Sequence, residues 1–143
     1  LHLHLGDGER QFDLIEKALG RAEIPSRVYH PTHVNRNCAL FESAMALAQR
    51  GITVDLTAFP EADDGLLAAE AIDRWLHGGL PINRLTCSSD GGGCLPVFDE
   101  NGEMLHMDVG RSEVLIHTIA SLLRMGRPMA FFLSVFVPSV PLV

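Results

Sequence analysis

Apolar and polar residues alternate along this chain in two rhythms that take turns. Leu1 to Leu5 alternates leucine with histidine, the period of a strand, and Glu9 to Leu19 then carries Phe12, Ile15 and Leu19 at helical spacing. Gly20 is the expected stop of that helix. Pro25 precedes a second expected strand, Arg27 to His30, and Asn37 to Arg50 predicts a helix with Leu40, Phe41, Ala44, Leu47 and Ala48 on one face and Gly51 at its end. Ile52 to Thr57 reads as a third strand by its β-branched content. Asp64 to Leu76 predicts a third helix with Leu67, Ala71, Ile72 and Trp75 inward, closed by Gly78 and Gly79. Ile82 to Cys87 is the fourth expected strand, followed by a Gly-rich turn and a hairpin or loop around Asp99-Glu100-Asn101-Gly102. Arg111 to Met125 closes the pattern as a helix carrying Leu115, Ile116, Ile119, Leu122 and Leu123.

The strand starts recur every ~25–30 residues, the length of one β-loop-α-loop unit, so the fold class is α/β with parallel strands and right-handed crossovers. Four such units make either an open sheet or half of an eight-stranded barrel, whose whole length is about 250 residues. The chain starts at Leu1 and shows no secretory leader pattern, which fits an internal piece of something longer. Residues 126–143 form an apolar tail without clear period, and Pro128, Pro138 and Pro141 break it too often for a membrane span. It is expected to be a core-facing segment or a chain end, distinct from the barrel-type region 1–125.

Composition narrows the partners. With 143 residues, 47% hydrophobic and 20% charged, the chain is globular rather than disordered and suits one domain. A net charge of −7 argues against nucleic acid or an anionic membrane as partner, since both attract cationic surfaces. Cys38, Cys87 and Cys94 are odd in number and form no C-x-x-C pair, so neither a disulfide framework nor a zinc knuckle is indicated. A reducing compartment, the cytoplasm, is the expected location.

The candidate chemistry lies where expected strands give way to loops, which is where parallel α/β folds keep their sites. His2 and His4 are two apart and face one side of a strand, so both could reach one metal. His33 follows another strand end, with Arg36 three residues on, and Asp90 opens the Gly91-Gly92-Gly93 turn. The plainer readings are hydrogen-bonded strand histidines, a turn-capping aspartate and a first-turn surface arginine. The Gly-rich turn lacks a following lysine, which rules out a P-loop.

His4-Leu5-Gly6-Asp7-Gly8, Pro31-Thr32-His33-Val34-Asn35-Arg36-Asn37, Leu40-Phe41-Glu42 and Ser88-Ser89-Asp90-Gly91 together resemble the second half of an isoaspartyl (β-aspartyl) dipeptidase of the amidohydrolase superfamily. The resemblance implies a metal-dependent (β/α)8 TIM-like barrel, with residues 1–125 supplying strands five to eight. It implies that His4 and His33 bind the second metal of a binuclear zinc site, and that Arg36 binds a carboxylate of a small isoaspartyl dipeptide substrate. Asp90 would take the proton from the attacking hydroxide and pass it to the leaving amine. The other metal's H-x-H pair and the bridging carboxylated lysine would come from sequence before Leu1. Lys17, the only lysine, lies on an expected helix, and His2 is a bystander. Cys94 stands where relatives carry a substrate-contacting serine, and a thiol is the weaker donor. A homo-oligomer is implied for the whole enzyme, and no activity for these residues alone. The alternatives are another amidohydrolase-superfamily amide hydrolase, or a non-catalytic α/β binding module in which these residues are structural.

Overall fold

Four short segments form parallel strands, and each pair is joined through a helix. The structure is a computed structural model, and it describes residues 1–62, 65–128 and 135–136. Strand β1 (His2–His4) leads through helix α1 (Asp13–Arg21) to β2 (His30–Thr32), which pairs with β1 in parallel. Helix α2 (Cys38–Gln49) leads to β3 (Val54–Thr57), and helix α3 (Ala68–His77) leads to β4 (Leu85–Ser88), which pairs with β3 in parallel. β2 lies beside β3, and just past β2 the Val34 N–H donates to the Asp55 carbonyl at 3.3 Å. An antiparallel hairpin follows, β5 (Cys94–Phe98) and β6 (Met104–Val109), and then helix α4 (Val114–Arg124) packs against α3. The architecture is mixed α/β, as the alternating pattern predicts.

The core lies between the helices and one face of the strands. Val54, Leu56, Leu85 and Cys87 join Leu40, Phe41 and Ala44 of α2 and Ala71, Ile72 and Trp75 of α3 in one buried cluster. The Phe41 and Trp75 rings are 6.5 Å apart, and the Trp75 indole N–H donates to the Pro81 carbonyl at 3.2 Å. Strand geometry sends alternate residues to opposite faces, so Asp55, Thr57, Thr86 and Ser88 face away from the helices. The expected apolar face of α2 is buried at all five positions, and Gly51 ends the helix at φ +90°.

Several expected boundaries move, each for a local reason. Ser26–Val28 forms a 3-10 turn rather than the start of a strand: Pro25 sets φ at −63°, and its carbonyl accepts from Val28 N at 3.0 Å. Pro81 does the same before Ile82–Arg84, accepting from Arg84 N at 3.1 Å, so β4 begins only at Leu85. Asn37 lies outside α2 as its cap, accepting from Leu40 N at 2.8 Å. α1 starts at Asp13 and passes through Gly20 instead of stopping there. α3 starts at Ala68, so Leu67 is exposed rather than inward, while residue 64 lies outside the described residues. α4 is shorter than expected at both ends, with Ile116 and Leu123 exposed and Leu122 buried. The hairpin turn is where the pattern puts it: Asp99 Oδ1 accepts from Asn101 N and Glu103 N, and those dipoles hold its carboxyl below the usual range. The tail lies outside the described residues except 135–136, where Val135 is buried. Among the described residues no helix is long and apolar enough to cross a membrane.

Asn35 locks the loop after β2 to β3 and to the segment leading into α3. Fully buried, it donates to the Thr57 and Leu66 carbonyls at 2.9 and 2.8 Å and accepts from Thr57 N at 2.8 Å. Asn35→Ala leaves those groups unpaired and should remove about 3 kcal/mol of stability, read from the urea midpoint.

Candidate active site

The strand ends and the loops after them bring four of the expected residues into one region. His4 closes β1, and His33 follows β2 with φ at +65°, in the left-handed region where a side chain is disfavoured. Its ring is tied down on both sides. His33 Nδ1 lies 2.7 Å from Thr57 Oγ1 at the end of β3, and His33 Nε2 lies 3.0 Å from His4 Nδ1. Burial is the main influence that lowers the His33 pKa from the ordinary histidine value. The Asp90 carboxylate opposes it, while Arg36 and His4 add to it. His33 is therefore a neutral imidazole at neutral pH, with a lone pair to offer.

Asp90 follows β4 at φ +51°, another left-handed residue. Glycines give it room. A Cβ at Gly93 would lie 2.9 Å from its carboxylate, and one at Gly110 would collide with its carbonyl oxygen. Arg36 lies in the loop after His33, 3.4 Å from the Asp7 carboxylate and 5.7 Å above the Phe59 ring. Its Nε is buried and has no hydrogen-bond partner among the described residues. A buried cationic N–H without an acceptor is costly, and a ligand carboxylate would satisfy it.

Cys94 is not gathered in with the others. It opens β5, exposed, opposite Val109. His2 is exposed on β1, and Lys17 is on α1, as expected. Beside the strand ends lies a cavity of about 530 Å³, with Asp90, Phe59, Met107, Arg111, Glu113 and His117 in its lining.

Sequence reasoning missed the group that organises these strand ends. Asp55, buried in β3, accepts from Thr32 Oγ1 at 2.6 Å, Thr86 Oγ1 at 2.6 Å and Ser88 Oγ at 2.7 Å. Thr32 immediately precedes His33, and Ser88 lies two residues before Asp90. The signal was an acid between two inward apolar residues, Val54-Asp55-Leu56, where strand alternation turns it to the polar face.

A zinc ion, as the sequence resemblance implies, fits the histidine pair. Two nitrogens each about 2.0–2.1 Å from a tetrahedral zinc lie roughly 3.3 Å apart. The observed 3.0 Å between His4 Nδ1 and His33 Nε2 is close to that, and the Thr57 contact fixes the His33 ring. Among the described residues no three His, Cys, Asp or Glu side chains are grouped to hold a metal, so these two histidines form only part of a ligand set.

No family model matches the sequence. A solved structure of a β-aspartyl dipeptidase from Fervidobacterium islandicum AW-1, in complex with a β-Asp-Leu dipeptide, superposes with a TM-score of 0.83 at 36% identity. The match covers 95% of this chain and 35% of that one. A second structure of β-aspartyl dipeptidase from the same organism gives a TM-score of 0.77 at 32% identity, over 95% of this chain and 33% of that one. The chain resembles the β-aspartyl dipeptidases. It spans about a third of the length of these two dipeptidases.

Two measurements check the site's geometry. Asp55→Ala strips two buried hydroxyls, Thr32 and Thr86, and the partly buried Ser88 of their acceptor and should lower stability by about 3 kcal/mol, again by urea unfolding. Burial, with Asp55 nearby, pushes the Cys87 thiol far above its ordinary value, while Cys38 and Cys94 are exposed. A disulfide reagent at neutral pH should therefore modify Cys38 and Cys94 in the native chain, and Cys87 only after unfolding.

Proposed function

We propose that this chain forms the C-terminal half of a metal-dependent (β/α)8 barrel that hydrolyses β-aspartyl dipeptides, with residues 1–125 as its fifth to eighth strands and helices and 126–143 as an apolar tail. The observation that carries this reading is the likeness, at 36% identity over 95% of the chain, to a dipeptidase solved with β-Asp-Leu. The parallel pairs β1–β2 and β3–β4 support it, as does a polar strand face turned away from the helices. So does the placement of His4, His33 and Asp90 at or just after strand ends, the side on which such barrels carry their sites.

In this reading His4 Nδ1 and His33 Nε2 would hold one zinc of a binuclear site, whose other ligands, a carboxylated lysine among them, would come from sequence before Leu1. A zinc held there would supply a Lewis acid for the scissile carbonyl and a lowered pKa for its bound water. Arg36 grips a carboxylate of the dipeptide, and the uncommitted Nε–H is the donor that supports this role. The Phe59 ring beneath the guanidinium restricts its swing. The Asp90 carboxylate takes a proton from the attacking water and delivers it to the departing amine, which must leave protonated. Cys94 would reach the substrate only as a weak donor, from a strand start that is exposed in this chain. Free exposed thiols at Cys38 and Cys94 suit a reducing compartment, the cytoplasm.

The test is made on the protein encoded by the whole reading frame that contains this chain. It should hydrolyse β-Asp-Leu, and Arg36→Met should lower kcat/KM by about 10²-fold, the loss of a charge-assisted pair of hydrogen bonds. An amide substrate with no carboxylate should be unaffected by that change. Equal turnover of β-Asp-Leu by the variant would overturn the role of Arg36. Absence of any hydrolysis by the whole protein with zinc supplied would overturn the function.

A further inference from the structure

The polar face of β1 and β2 carries two histidines that the proposed hydrolysis does not use. His2 and His30 are direct cross-strand partners, and their rings lie perpendicular with centroids 5.2 Å apart. His2 is exposed on β1, while His30 is partly buried and anchored from behind. Its Nε2 lies 3.0 Å from Thr86 Oγ1.

The proton positions in that anchor follow from the chemistry. The Thr86 hydroxyl has one proton and lies 2.6 Å from Asp55 Oδ1, with the Val54 carbonyl farther off at 3.4 Å. The proton is committed to the carboxylate, so the Thr86 oxygen must accept from His30 Nε2–H. That fixes the tautomer: in the neutral ring, Nδ1 carries the lone pair. Burial keeps the ring neutral, lowering the His30 pKa more than the Asp55 charge raises it. No group among the described residues is hydrogen-bonded to Nδ1. An imidazole whose far nitrogen donates through a hydroxyl to a carboxylate is oriented as metal-ligating histidines are, with its basic nitrogen directed by the partners behind it.

We propose that His2 and His30 form a binding site for a borderline divalent transition metal ion of the zinc or cobalt type, separate from the His4–His33 pair, with water completing the coordination. Imidazole pairs suit such ions, whereas magnesium and calcium require oxygen donors. Cross-strand neighbours about 4.8 Å apart are close enough for two imidazoles to meet at one ion. The site needs only a swing of the exposed His2 ring, since His30 is already held. It is a two-histidine site by necessity, because no three His, Cys, Asp or Glu side chains among the described residues share one. The inference does not rest on the hydrolytic function.

The test is a zinc titration of the protein encoded by the whole reading frame that contains this chain, followed by long-range proton–nitrogen spectra of the imidazoles. The metal-free spectrum should show His30 as the Nε2–H tautomer. Zinc should shift the His30 Nδ1 and a His2 nitrogen together, in the wild type and equally in His33→Ala. His2→Leu, at an exposed position and with unchanged backbone spectra as its control, should weaken zinc binding at His30 at least ~10-fold. An Nδ1–H tautomer for His30, a His30 signal indifferent to zinc, or a shift that survives His2→Leu or vanishes in His33→Ala would each overturn the proposal.

Discussion

A single buried carboxylate ties together the strand ends of this protein. Asp55 accepts from one hydroxyl on β2 and two on β4 while standing on β3 between them. A buried charge is tolerated only where donors surround it, and here every donor is a hydroxyl fixed on a neighbouring strand. The same contacts that satisfy the charge therefore set the relative position of three strands. Those strands lead directly to His33, Thr57 and Asp90. The geometry of the candidate site is in this sense a by-product of solving an electrostatic problem one layer beneath it.

Above that layer the backbone is less relaxed. His33 and Asp90 both adopt left-handed conformations that side chains disfavour. Such residues persist where surrounding contacts over-determine them, and they gather at functional sites. His33 is held by Thr57, by His4 and by the loop that Asn35 pins in place, and the Asp90 carbonyl accepts from Gly93 N at 2.8 Å. Fixed placement of an imidazole pair, a carboxylate and a guanidinium is what the proposed hydrolysis of a small charged peptide requires. Arg36 differs in that its Nε has no hydrogen-bond partner among the described residues, which supports the proposed grip on a ligand carboxylate.

The Asp55 network also reaches sideways. Through Thr86 it fixes the His30 ring, and the ring contacts from His30 to His2, His2 to His4 and His4 to His33 make a continuous run of imidazoles along the β1–β2 edge. Two ends of that run rest on hydroxyls, Thr86 at one and Thr57 at the other. The chemistry of the pair next to Thr57 and of the pair next to Thr86 differs because only the first lies beside Asp90 and Arg36, as the influences on His33 record.

The sequence by itself determined the alternation of strands and helices, the buried face of α2, a turn or loop at Asp99 and the placing of His4, His33, Arg36 and Asp90 near strand ends. Those features are local: a helical stripe, a turn residue or a motif is written in residues a few positions apart. The tertiary structure decided where strands begin after Pro25 and Pro81, where α1, α3 and α4 start, and that Leu67 and Ile116 face solvent. It alone decided the role of Asp55, because its donors lie 23, 31 and 33 residues away and no local pattern records a hydrogen bond across strands. A period-2 segment reveals which side an aspartate faces; only the packing of neighbouring strands reveals what waits there to pair with it.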